Sequence, residues 1–236
     1  MLKRSFVLTV MFLMITVTAI GKVEITRFLG IPVDGPKDEM VMNLKAKGYT
    51  YNSDEDYFTG YYFGHPVYLF IQTNNEKVSR IILYDVIQRN EEEIKYRFND
   101  IYTQFITSDR YERMNKRDKS LTADYDLAYE MKFHKYLHKA VFKQVKAVET
   151  DEYIKRACAP AVTEHEIDFE ALADDFREHR RRMYARALGH ANRHDENSFP
   201  SQVWFVISER FGKFGMVLMY DNVRNLVKLR ESYSFE

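Results

Sequence analysis

One cysteine, Cys158, is all the thiol chemistry that 236 residues carry. A single thiol excludes an intrachain disulfide, a thiolate metal cluster and CxxC redox exchange. Its neighbours in KRACAPAV are small and apolar, which favours a buried structural cysteine over a nucleophile. Charge of one sign is also missing: 35 Lys plus Arg stand against 35 Asp plus Glu. A chain without basic excess lacks the electrostatic footprint of a nucleic-acid binder. No G-x-S-x-G elbow, HExxH pair, G-x-x-x-x-G-K-[ST] loop or G-x-G-x-x-G turn occurs.

What is present is globular: 45% hydrophobic and 30% charged residues, enough for a sizeable core. Aromatics reach 15%, with 17 Tyr and 17 Phe, and such residues favour strands. The N-terminus stands apart. Lys3 and Arg4 precede an uncharged stretch from Ser5 to Gly21, which reads as a secretory signal peptide over 1–21, cut after Ala19 or Gly21. The alternative is a retained anchor, since about 17 apolar residues sit at the lower edge of what spans a bilayer. Without Lys3 and Arg4 the remainder holds 33 basic and 35 acidic residues.

Residues 22–236 are expected to form a single α+β domain. GPKDEMVMNLKAKG predicts a helix over 36–47: Gly35 as N-cap, Pro36 first, acids early, lysines late and Gly48 as the stop. Turn chemistry at Gly64-His65-Pro66 and Asn74-Asn75 predicts an antiparallel meander over 57–63, 66–73 and 78–86. Asn90 caps a second helix over 90–106, with Ile94, Phe98, Ile101, Tyr102 and Phe105 on one face. The polar stretch 107–123 reads as a loop. Strict alternation of Tyr125, Leu127, Tyr129, Met131 and Phe133 predicts strands over 125–133 and 139–147, hinged near HKYLHK. Helical spacing can also be drawn there, through Leu127, Met131, Val141 and Val145.

A helical insert over 151–190 follows. It holds a short helix over 151–158, stopped by Pro160, and a long one opened by the Thr163–Glu166 capping box and closed at Gly189. Strands over 202–210 and 214–221 make a C-terminal hairpin around Phe211-Gly212-Lys213. A helix plus strands over 28–88, then again over 89–222, suggests helix-plus-meander units in tandem.

Candidate chemistry is thin. His134 and His138, like His190 and His194, have a four-residue spacing that suits a metal only on a helix. A turn separates the first pair and Gly189 precedes the second. His165 lies between two glutamates, and Ser198 and Ser201 flank a loop proline. The basic run Arg177 to Arg186 reads as the solvated face of a helix, and the strand aromatics as core rather than a ligand platform. GIPVDGP invites an anion at a helix start. Pro36 removes an N–H there and Asp34, Asp38 and Glu39 already supply negative charge, so the stretch is fold punctuation. No catalytic, cofactor-binding or metal set is assembled.

The stretches GIPVDGPKDEMVMNLKAKGYTY, IQTNNEKVSRIILYDV and WFVISERFGKFGMVLMYDN together resemble a family of uncharacterised exported bacterial proteins. These motifs are structural and imply no activity. More remotely, the helix-plus-meander unit is similar to the β-lactamase inhibitor protein repeat and to small outer-membrane assembly lipoproteins, a likeness of fold alone. No lipidation cysteine is present near the cleavage region. The expectation is an exported, periplasmic or extracellular binding module. It would contact an envelope protein or peptide through a sheet edge or face, with no cofactor, no nucleic acid and no stable membrane insertion after cleavage. The rival is a secreted hydrolase with a site assembled from distant residues, or a membrane-tethered structural protein.

Overall fold

The computed structural model describes residues 25–145, 150–160, 167, 169 and 201–226. The signal segment over 1–21, the long helix of the insert and the end of the tail lie outside them. The described chain is α+β, built on an eight-stranded antiparallel sheet.

A two-strand ribbon, β1 (Arg27–Phe28) and β2 (Ile31–Pro32), leads into α1 (Lys37–Ala46). Pro36 rather than Gly35 is the N-cap, while Gly48 takes the left-handed φ of 93° expected of a helix stop. Four strands follow: β3 (Thr50–Asn52), β4 (Tyr57–Tyr62), β5 (His65–Asn74) and β6 (Lys77–Asp85). Then comes α2 (Glu91–Ile106), opened by a capping box between Asn90 and Glu93. The second half supplies β7 (Tyr111–Arg113), α3 (Leu127–Phe133), β8 (Lys139–Gln144), α4 (Asp151–Cys158), β9 (Ser201–Arg210) and β10 (Lys213–Asn222).

The spatial order is β3-β4-β5-β6-β10-β9-β8-β7. Each half is a helix followed by a four-strand meander, and the two last strands, β6 and β10, form the seam. Both edge strands are only three residues long.

The predicted meander and the C-terminal hairpin stand within a residue or so of the observed strands. One expectation is overturned. Residues 125–133 are not a strand: Leu127–Phe133 is helical, with the Asp126 carboxylate accepting the Tyr129 N–H at 2.8 Å. The loop expected over 107–123 also contains β7, paired with β8.

Helices cover one sheet face. Ile94, Phe98, Ile101 and Phe105 of α2 are buried there against Phe205, Met216 and Leu218. Each contributes roughly 1.5–3 kcal/mol of transfer free energy. The opposite face holds a second buried cluster, including Tyr57, Tyr68, Phe70, Tyr84, Trp204 and Met219. Phe169, from the insert, packs its ring 6.2 Å from that of Tyr68.

Strand β6 carries a bulge. Gln72 pairs with Arg80 but Thr73 pairs with Val78, which leaves Ser79 over. The Ser79 hydroxyl donates to the Gln72 carbonyl at 3.1 Å. The extra residue reverses the alternation. Val78, Ile81 and Leu83 therefore share the helix side, while Ile82 and Tyr84 face the other cluster.

Candidate functional site

Among the described residues, the turn from α3 into β8 gathers three exposed aromatic side chains, Tyr129, Phe133 and Tyr136. Its foundation is apolar. Leu127 is fully buried, Met131 one turn on packs against the same core, and the Glu91 carboxylate of α2 accepts the Leu127 N–H at 2.9 Å. In a helix, residues two positions from this inward pair point outward. Tyr129 and Phe133 occupy those positions and are 48% and 60% exposed, with their rings 4.8 Å apart.

The helix stops firmly. His134 binds Glu130 at 2.8 Å, and Lys135 turns the chain with a φ of 54°. The Tyr136 N–H then returns to the Glu130 carbonyl at 3.1 Å. Tyr136 is 57% exposed, and its ring lies 4.8 Å from that of buried His138. Burial pushes the His138 pKa down to about 4. Its Nε2 sits 3.4 Å from the Tyr125 hydroxyl. The His138 carbonyl accepts from Ile207, which fixes the turn to β9.

Strand register places a second protrusion at the same end of the sheet. Lys139 faces Val206, so residues before Lys139 run alongside those after Val206, toward the β9–β10 tip. At that tip Phe211 is 84% exposed, with the Arg210 guanidinium 5.1 Å from its ring. Lys132, Lys135 and Lys213 are exposed around these aromatics.

A second set of charged groups is internal. Asp85 uses both carboxylate oxygens: Oδ2 takes Arg89 Nη1 at 2.6 Å and Arg97 Nε at 3.2 Å, and Oδ1 takes Arg97 Nη2 at 3.2 Å. Burial works to raise its pKa, but Arg97 and Arg89 outweigh it and hold the carboxyl below its usual range. A carboxylate so held is a poor general base near neutral pH. His65 stands 3.1 Å from Arg89 Nη2, and burial, then Arg97, brings its pKa down to about 4. This cluster fastens α2 to the first meander. A separate open cavity of about 390 Å³ lies between the end of α1 and α4, lined by Lys47, Asp151, Lys155 and Cys158.

The sequence candidates are dispersed. His134 is exposed on the rim of α3 while His138 is buried beyond the turn, so the pair does not converge. Ser201 is buried and donates to the Gln144 carbonyl at 2.9 Å. Cys158 ends α4, half-buried against the core. The strand aromatics are core, as their cross-strand spacing suggests. His165, His190, His194, Ser198 and the run from Arg177 to Arg186 lie outside the described residues. Among the described residues no group of three or more His, Cys, Asp or Glu side chains could hold a metal ion.

The exposed aromatic turn was missed from sequence. Its signal is Asp126 as N-cap with Leu127 and Met131 four apart, which already places Tyr129 and Phe133 outward.

Comparison with protein-family models, curated proteins and solved structures finds no match. Among the described residues no helix is long and apolar enough to cross a membrane.

Proposed function

We propose that the protein is an exported, non-catalytic binding module of the cell envelope, and that it docks through the α3–β8 turn and the β9–β10 tip. One observation carries the reading. Tyr129, Phe133, Tyr136 and Phe211 are 48–84% exposed at one end of a sheet whose two faces are both buried. Large apolar side chains held in water by a rigid scaffold mark an interaction surface. The Lys3–Gly21 segment and the resemblance to exported proteins support the envelope setting.

The sheet itself is a weaker candidate. Its central aromatics are packed away, and its edges offer three residues each for strand addition. The hydrolase reading has less support still, because the fully buried carboxylate, Asp85, is locked between two arginines.

Cell fractionation tests the proposal. Wild type and a Tyr96→Ser control, altered at an exposed residue of α2, should both follow the envelope fraction. Phe133→Ser/Tyr136→Ser should move to the soluble fraction. Identical distribution of all three would overturn the reading.

A further inference from the structure

We infer that the partner of this surface is an anionic bilayer surface, engaged peripherally by Phe133, Tyr136 and Phe211 with Lys132, Lys135, Arg210 and Lys213 around them. This rests on the docking surface proposed above and names what it docks to.

Charge arrangement is the first argument. Three acids beside the aromatics are engaged within their own turns: Asp126 accepts the Tyr129 N–H at 2.8 Å, Glu130 holds His134, and Glu209 accepts the Gly212 N–H at 2.8 Å. Lys135 Nζ donates to the Lys132 carbonyl at 2.7 Å on the exposed turn, and two further cations flank the aromatic rings. Lys132 Nζ lies 5.3 Å from the Phe133 ring centre and the Arg210 guanidinium 5.1 Å from that of Phe211. A chain with equal totals of acid and base thus concentrates outward positive charge beside its exposed aromatics. Aromatics at the headgroup level with lysine and arginine reaching phosphates is the pattern that suits an anionic interface.

The hairpin tip is the second argument. The β9–β10 turn has two residues, with φ of 48° at Phe211 and 75° at Gly212. Such turns favour Asn, Asp or Gly, because other side chains crowd the backbone at positive φ. The matching β5–β6 hairpin uses Asn75, with a φ of 47°, at the corresponding place. Phe211 bears the same conformation with a large apolar side chain that is 84% exposed. The β4–β5 hairpin also places a phenylalanine there, Phe63 with a φ of 48°, but packs it against the core, whereas the Phe211 ring stands in water, so its use lies outside the folded chain.

The form of the surface selects a bilayer over a protein. Its aromatics stand on two separate projections, a hairpin tip and a helix end, rather than in one groove. Separate projections can each enter a deformable interface, whereas a rigid partner needs one complementary face.

Vesicle co-sedimentation tests the inference on the protein as purified from cells. Vesicles with about 30% anionic lipid should bind at least roughly tenfold tighter than neutral ones, and about 0.5 M salt should abolish the preference. Replacing one cation, Lys135→Gln, should weaken binding about fivefold. Phe133→Ser/Phe211→Asn should weaken it at least about tenfold with no loss of melting temperature. Equal binding to neutral and anionic vesicles, or undiminished binding by the double variant, would overturn the inference. So would light scattering that shows a dimer which the double variant dissolves, because the occupant is then a second copy. If vesicles are ignored while envelope fractionation still depends on Phe133, the bilayer inference falls and the docking surface stands.

Discussion

Arg80 and Asp221 face each other across the seam where the two halves of the sheet meet. Arg80 Nη2 donates to Asp221 Oδ2 at 2.7 Å and Nε to Oδ1, and the Trp204 indole N–H donates to Oδ2 at 2.9 Å. Both charged side chains are at most 2% exposed. Removing one partner strands the other charge out of water. Asp221→Ala or Arg80→Ala is therefore expected to cost about 3–5 kcal/mol by denaturant unfolding. The double variant Arg80→Met/Asp221→Leu should recover most of that loss, because a well-filled apolar pair avoids desolvating two ions. A double variant as unstable as the sum of the singles would show that the two residues are not coupled and would contradict the stranded-charge account.

Gly60 in the middle of β4 is set by a close approach. A Cβ there would lie 2.6 Å from Cδ1 of Tyr49, a buried ring whose hydroxyl donates to the Tyr61 carbonyl at 3.0 Å. Gly60→Ala should destabilise by about 1–3 kcal/mol, since the ring must leave its place. Tyr49→Leu in the same chain should absorb part of that cost. Strict additivity of the two changes would contradict the steric account.

Acid should weaken the fold before the carboxylates titrate. His138 has a folded pKa of about 4, lowered from 6.5 by burial, and His65 is lowered to about 4 by burial and Arg97. Between these values the unfolded chain takes a proton that the folded chain refuses. Stability is thus full above pH 6.5 and falls toward pH 4. His138 accounts for about 2 kcal/mol lost by pH 5, and the partly exposed His65 for less. Asp85, depressed by its arginines, adds a further loss in the carboxylate range. Urea titrations from pH 7.5 to 4.5 should show this slope, and His138→Gln should flatten it. A slope unaltered by that change would contradict the assignment.

Phe211 separates stability from binding. Phe211→Asn relieves a bulky side chain at positive φ and should raise unfolding free energy by up to about 1 kcal/mol. A loss of stability would mean that the ring packs against the fold.

Much of the architecture was legible because local chemistry and tertiary packing agree. Asn90 with Glu93, the inward stripe from Ile94 to Phe105, and the Asn74-Asn75 turn each specify one outcome. Residues 125–133 failed because their alternation satisfies two periods. Leu127 and Met131 lie two and one helical turns before the stop at Lys135, and the outward aromatics between them imitate a strand. Burial against α2, which no local pattern displays, decides the matter.

The seam was equally hidden. Leu83-Tyr84-Asp85 and Met219-Tyr220-Asp221 look alike, yet Tyr84 joins the cluster away from the helices and Tyr220 the helix-side core. The register sets Tyr84 opposite Val217 and Tyr220 opposite Ile81, an offset of three residues, so similar sequences present opposite faces. Pairing of β6 with β10 joins Arg80 to Asp221 across 141 residues, a separation at which sequence alone sets no register.

Docking of this surface on an anionic bilayer is tested most directly by the distribution of wild type and the Phe133→Ser/Phe211→Asn variant between solution and anionic vesicles, with folding of both verified by thermal melting. Wild type should sediment with the vesicles and the equally folded variant should stay largely in solution. Equal sedimentation of the two would contradict such docking.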